Sequence, residues 1–221
     1  MSVEMVAFDV AGTTLNDDGI VIAAFKNAFE KTQPELWPIQ GAAWTQYAID
    51  TMGQSKIHVF TELLGDREKA HQANIAFEES YIREITQSGA TPMTGAEELF
   101  KELKKRGIAV VLTTGFSRST LDVLLETLNW ENLIDLSVTP SEVERGRPHP
   151  DMLNFAAHEL MITNPTNTMV VGDTAADMQA GISYGAAQII GVLSGAHNFQ
   201  TLHEAGATSV VNSVADLASL I

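Results

Sequence analysis

Short apolar, β-branched runs recur along this chain, and several hand over directly to a helical pattern. They are Val3 to Phe8, Ile108 to Leu112, Leu133 to Val138, Met169 to Val171, Ile189 to Leu193 and a weaker Ser209 to Val211. This alternation predicts an α/β fold, a Rossmann-like parallel sheet with helices on both faces. Thr94-Gly95-Ala96-Glu97 reads as a capping box that opens a helix through Leu99, Phe100 and Leu103 to a stop at Gly107. Ser117 reads as the cap of a second helix carrying Leu121, Leu124, Leu125 and Leu128. Further helices are expected at about 151–161, 174–184 and 199–205, the last two ending at Gly185 and Gly206. Ligands of such sheets bind outside the carboxyl ends of the strands. The residues just after each apolar run are therefore where function is expected.

Between about residues 17 and 88 the pattern changes. Strand signals nearly vanish, and helical runs such as Val21 to Lys31 and Ser55 to Leu64 are broken by Pro34, Pro38, Gly53 and Gly65. The expected organisation is an α/β core from residues 1–16 and 89–221, with a mostly α-helical cap, 17–88, inserted after the first strand. Such caps exclude water and add residues to a site at the sheet edge.

Bulk composition excludes several classes. With 28 acidic and 13 basic residues the net charge is −15, which argues against a nucleic-acid surface or an anionic-lipid anchor. An anionic substrate must then be drawn in by local cations or a metal. No apolar run approaches the ~18 residues of a membrane span. The start of the chain reads straight into a strand, without the basic region and cleavage site of a signal peptide. The absence of cysteine excludes disulfides, a thiol nucleophile and a Cys-based zinc site. A cytoplasmic location is expected.

Four polar segments fall at predicted strand ends. Asp9 closes the first run and leads into Ala11-Gly12-Thr13-Thr14. Thr113-Thr114-Gly115 follows the second, offering hydroxyls and backbone N–H groups to phosphate oxygens at a helix start. Gly146-Arg147-Pro148-His149-Pro150 places a guanidinium, able to clamp a phosphoryl group through two nitrogens, between rigidifying prolines. Gly172-Asp173-Thr174-Ala175-Ala176-Asp177 sets two carboxylates four residues apart on one helix face. Asp173 is placed to bind Mg²⁺ with Asp9 and a backbone carbonyl, because magnesium takes oxygen ligands and keeps several waters. Taken singly, each segment is also ordinary turn or cap chemistry.

Their order resembles the haloacid dehalogenase superfamily, and within it the phosphonoacetaldehyde hydrolases and shorter phosphonatase-like hydrolases. The matching segments are Asp9-x-Ala11-Gly12-Thr13, Thr113-Thr114-Gly115, Gly146-Arg147-Pro148 with arginine where the superfamily usually has lysine, Gly172-Asp173-Thr174-x-x-Asp177, and Met52-Gly53-x-x-Lys56 in the cap. The resemblance implies Asp9 as nucleophile and Mg²⁺ held by Asp9, the Ala11 carbonyl and Asp173, with Asp177 supporting the metal shell. It implies substrate contacts along Gly12, Thr13, Met52, Gly53, Thr113 or Thr114, Gly115 and Arg147. It makes Lys56 the imine-forming residue acting on a small phosphonate.

Ala11 and Lys56 point to the same chemistry. Phosphatases of this superfamily carry a second aspartate at the position of Ala11, where it protonates a departing alkoxide. A general acid is worth about 10²–10⁴-fold, or about 3–5 kcal/mol. Its loss costs nothing when the leaving group is an enamine formed through a lysine imine. Lys56 must be neutral to attack, so burial or a nearby cation has to lower its pKa. His58 lies two residues after Lys56, on roughly the opposite helix face, which fits a core or surface role. Phe116 stands where the longer phosphonatases have a tyrosine. The substrate is left open between phosphonoacetaldehyde and another carbonyl phosphonate. His149, His158 and His197 read as ordinary, with His197 a weak pocket candidate. Trp37, Trp44 and Tyr47 fit cap packing or a cap-to-cap homodimer contact. The competing readings are a phosphatase for a small acyl or sugar phosphate, a metal-free haloacid dehalogenase, and a non-catalytic binding protein.

Overall fold

In a computed structural model, which describes residues 3–16 and 18–219, six parallel strands form one sheet. They are β1 (Met5–Asp9), β4 (Ala109–Thr113), β5 (Leu136–Val138), β6 (Thr168–Gly172), β7 (Gln188–Val192) and β8 (Ser209–Val211). Their order is β5-β4-β1-β6-β7-β8, so β1 is central, flanked by β4 and β6. Every residue of β1 is buried, as expected of a parallel strand covered on both faces. Alternation divides it: Val6 and Phe8 join one apolar cluster, Met5 and Ala7 the other. The first cluster packs beneath α5 (Ala96–Lys105) and α6 (Arg118–Leu128), the second beneath α7 (Asp151–Glu159) and α8 (Ala175–Tyr184). The molecule is an α/β protein with helices on both sheet faces.

Four helices follow β1: α1 (Ile20–Thr32), α2 (Trp37–Asp50), α3 (Lys56–Leu64) and α4 (Arg67–Ser88). An aromatic cluster joins them. Phe29 lies 4.3 Å from Trp44 and 5.2 Å from Phe60, and Phe60 lies 6.1 Å from Phe77. Trp37 also stacks on Phe29, so both tryptophans join this aromatic cluster. Pro38, read as a break, sits in the first turn of α2, where its missing N–H is no loss. A short antiparallel pair, β2 (Leu15–Asn16) with β3 (Thr91–Pro92), closes the base of this helical segment. At two residues each, these strands are too short to show a period. The expected cap boundary at Asp17, and residues 1, 2, 220 and 221 of the expected core, lie outside the described residues.

Two expectations need correction. Thr94 does not cap α5: the N-cap is Gly95 at φ +85°, with no side-chain hydrogen bond, and Glu97 instead accepts from the Trp130 indole at 3.0 Å. The run from Leu133 shortens to β5, because the Leu133 and Ile134 N–H groups turn back to the Trp130 carbonyl. Ser117 caps α6 as expected, accepting from the Thr120 N–H. No helix among the described residues is long and apolar enough to cross a membrane.

Candidate active site

Because β1, β4 and β6 are neighbours running the same way, their carboxyl ends bring Asp9, Thr113-Thr114 and Asp173 to one edge. Asp9 is buried and faces Arg147, whose Nη1 lies 2.7 Å from Asp9 Oδ1. The same nitrogen donates to Asp177 Oδ1. Arg147 is 6% exposed, and its Nε and Nη2 are buried without a hydrogen-bond partner. A buried guanidinium normally satisfies its whole fork, so two open N–H-bearing nitrogens mark a place for an incoming oxyanion.

Asp177 holds Arg147 and starts α8. Its Oδ2 accepts from the Thr174 N–H at 3.1 Å and from the Thr174 hydroxyl, in a reciprocal capping box. Both carboxylate oxygens are thereby engaged, one by the cap and one by Arg147. Asp177, expected to support the metal shell, here braces the guanidinium.

Asp173 follows β6 and is almost fully enclosed by backbone and hydroxyl donors. Thr13 Oγ1 donates to its Oδ1 at 3.0 Å and the Ala196 N–H to its Oδ2 at 2.7 Å. Gly12, at φ +89°, and Gly195 approach so closely that an added Cβ would stand 2.7 Å and 2.0 Å from Asp173 Oδ2. Thr13, expected to touch substrate, donates its hydroxyl to Asp173. Burial, and then the neighbouring charge of Asp9, push the Asp173 carboxyl up to about 7. Among the described residues no three His, Cys, Asp or Glu side chains converge on one point. The donor set nonetheless fits magnesium. Asp173 is costly to ionise where it is buried beside Asp9, and a hard dication that accepts carbonyl and water oxygens as well would relieve that cost.

The helical segment supplies the other wall. Lys56 begins α3 and is only 9% exposed, with Met52 Sδ 3.9 Å from its Nζ. It shares a small enclosed space with Asp9, Ala11, Met52, Gly53, Thr114 and Arg147. The segment docks on glycines. A Cβ on Gly53 would stand 2.4 Å from Thr174 Oγ1, one on Gly115 would stand 2.4 Å from the Gln54 carbonyl oxygen, and Ser55 Cβ packs 3.5 Å from a Cβ built on Gly146. The Lys56 N–H completes the seam by donating to the Gly115 carbonyl at 3.4 Å.

Of the two threonines after β4, Thr114 lines this space, whereas Thr113 borders a void beside Met152 and Leu153 on the other side. Thr114 Oγ1 accepts from the Phe116 N–H, which leaves its O–H for a ligand. His58 is exposed, settling its open assignment as a surface residue. Phe116 is buried 4.5 Å from Tyr81. Sequence reading underrated the loop after β7. Ser194 donates to the Gly12 carbonyl at 2.8 Å, and His197 Nδ1 accepts from the Ala175 N–H at 2.9 Å, so this loop fastens Asp173 and α8 together. Its available signal was position, directly after a parallel strand.

A buried aspartate, an arginine fork and a second enclosed carboxylate on this sheet edge agree with a family-wide match. Residues 3–185 fit the model of the haloacid dehalogenase-like hydrolases, and the chain belongs to that family and is a hydrolase. It is 30% identical over 214 residues to a phosphonoacetaldehyde hydrolase of Bacillus mycoides, covering 88% of this chain and 77% of that one. A phosphonoacetaldehyde hydrolase of Bacillus cereus is 32% identical over 213 residues with the same coverage. Among solved structures, a hydrolase from Pseudomonas syringae superposes with a TM-score of 0.85 at 25% identity, covering all of this chain and 97% of that one. A phosphonoacetaldehyde hydrolase-like protein from Oleispira antarctica, 23% identical, shares the fold at a TM-score of 0.83, covering all of this chain and 91% of its own.

Proposed function

We propose that this hydrolase cleaves the carbon–phosphorus bond of phosphonoacetaldehyde or a related carbonyl phosphonate, using Asp9 as nucleophile, Lys56 as imine former and Mg²⁺ as cofactor. The observation that carries the reading is Lys56: a lysine enclosed with Asp9 and Arg147, facing a position, Ala11, that has no acid. Lysines are rarely buried without a purpose, and a solvated lysine would stay protonated. The names of the relatives at 30% and 32% identity support the same substrate class.

In this reading the phosphonate oxygens lie against Arg147 Nε and Nη2 and the Thr114 hydroxyl. Lys56 adds to the carbonyl and loses water, giving a protonated imine. Asp9 attacks phosphorus; the C–P bond breaks, and its electron pair passes into the imine to form an enamine. Arg147 offsets the charge that grows on the phosphoryl oxygens. Water then hydrolyses the aspartyl-phosphate to inorganic phosphate, and protonation and hydrolysis of the enamine return Lys56 and release the carbonyl product. Mg²⁺, held by Asp9, the Ala11 carbonyl and Asp173, supplies charge neutralisation at the phosphoryl group.

The test is acetaldehyde release from phosphonoacetaldehyde with Mg²⁺, wild type against Lys56→Arg. Turnover lost in the variant, with borohydride trapping of substrate on the wild type only, is expected. Turnover that survives the substitution removes Lys56 from the chemistry. Absence of acetaldehyde, with equal hydrolysis of acyl phosphates by both proteins, favours the phosphatase reading that Ala11 also permits.

A further inference from the structure

The enclosed space around Lys56 opens outward into a much larger groove, of about 850 Å³, between α3 and α4 on one side and residues 140–149 on the other. Lys56, Gly115, Phe116 and Arg147 line both. In the proposed reading a two-carbon aldehyde phosphonate is accommodated in the enclosed space lined by Asp9, Lys56, Thr114 and Arg147, without the groove, which lies in the range of whole small-ligand sites. Its far wall is a stripe of α4: Arg67, His71, Asn74 and Glu78, spaced so as to share one helix face.

Arg67 stands out. Against an excess of acidic residues that leaves the chain at −15, it has no ion pair or hydrogen bond among the described residues. Arg106, Arg118, Arg145 and Arg147 each pair with a carboxylate. Glu78, on the same stripe, accepts from Asn74 at 2.8 Å and lies eleven residues, about 16 Å, further along the helix. Connectivity sets the distance from the chemistry. Lys56 opens α3, the chain turns at Gly65, and Arg67 opens α4, so Arg67 stands beside the far end of α3, about 12 Å of helix from Lys56.

We infer that the groove is a tail subsite and that the substrate is a carbonyl phosphonate extended beyond its carbonyl, ending in an anionic group received by Arg67 beside His71. This rests on the proposed placement of the phosphonate at Arg147. It deepens that reading by naming what occupies the other substituent of the carbonyl carbon: a polar chain rather than hydrogen. Phosphonoacetaldehyde is then the shortest member of the class.

The experiment uses carbonyl-free probes, so that it does not depend on C–P cleavage. Calorimetry with Mg²⁺ present compares ω-carboxyalkylphosphonates of graded length with alkylphosphonates of matching length. The expected result is a carboxylate preference that is absent in short chains, emerges at a definite length, and reaches roughly five- to tenfold, the scale of a solvent-accessible ion pair. Arg67→Ala collapses that ratio towards one, and Arg67→Lys keeps part of it. Arg67 is exposed in the first turn of α4, and helix start is secured by Asp66, so folding is not at stake. Equal binding of the two series at every length, or a preference that persists in Arg67→Ala, overturns the subsite. Failure of both series to bind instead overturns the phosphonate placement at Arg147, and acetaldehyde release in the same preparation reports separately on the imine.

Discussion

Arg147 and Asp9 meet with Nη1 2.7 Å from Oδ1, inside a site where Asp177 holds the same nitrogen from behind. The proposed nucleophile and the proposed phosphoryl clamp are therefore one electrostatic unit. Asp177 fixes where the guanidinium points, and the guanidinium lies against the Asp9 carboxylate. Arg147→Ala leaves two buried carboxylates uncompensated. A loss of about 3–5 kcal/mol of unfolding free energy is expected, with kcat/KM down at least ~10²-fold. Arg147→Lys restores the charge but not the fork, so it should recover stability more than activity. Denaturant unfolding beside steady-state kinetics separates the two.

The Asp173 carboxyl sets a pH dependence of the metal-free protein. Its folded value, about 7, lies above the ordinary aspartate value of about 3.9. The folded state therefore holds an extra proton between these limits. The contribution to stability is full below about pH 4 and is lost as pH rises through about 7. Thermal midpoints in chelator should show this loss for the wild type, while Asp173→Asn, which keeps an oxygen for the Ala196 N–H, flattens the difference across that window. Added Mg²⁺ should reverse the slope in the wild type alone. Parallel pH profiles for both proteins would remove Asp173 as the cause.

Ala11 gives a gain-of-function prediction. It borders the space shared by Asp9 and Lys56. An aspartate there would supply a proton donor for an alkoxide leaving group, so Ala11→Asp should raise hydrolysis of a simple phosphate monoester by about tenfold or more. Carbon–phosphorus cleavage should fall or stay level in the same protein. An unchanged monoester rate would mean the absent acid is not what limits ester hydrolysis.

Gly115 tests the seam. Its added methyl would stand 2.4 Å from the Gln54 carbonyl oxygen, a backbone atom that cannot swing aside. Gly115→Ala should prop the helical segment away from the sheet and cut kcat/KM by about 10–100-fold, the scale of a roughly ångström misplacement. Proteolysis within residues 51–55 should quicken. Gly107→Ala, whose methyl would meet nothing nearby but whose φ is +71°, serves as a control for stability without a seam effect.

Much of this site was legible because strand ends announce themselves. Asp9, Thr114, Arg147 and Asp173 each follow an apolar run or a proline-stiffened loop, and the helical segment showed itself by losing the strand period. What was hidden depends on side-chain direction across long separations. The Arg147–Asp177 pair spans 30 residues. Thr13 reaches Asp173 across 160 residues. Adjacent Thr113 and Thr114 differ only in which side of the sheet they face, and a strand's last residue gives no warning of that. The Thr94 cap failed because Gly95 enters the left-handed region, an option that a propensity-based reading of Thr-x-x-Glu does not weigh.

The fit between the helical segment and the sheet is made of missing atoms: Gly53 against Thr174, Gly115 against Gln54, Gly146 beside Ser55. Beside these glycines, the side-chain packing across that line includes Phe116 set on Phe77 and Tyr81 of α4. Arg67 and His71 line the groove away from these close approaches. Under the proposed chemistry, substitutions at Arg67 or His71 would change the groove while leaving Lys56 beside Asp9.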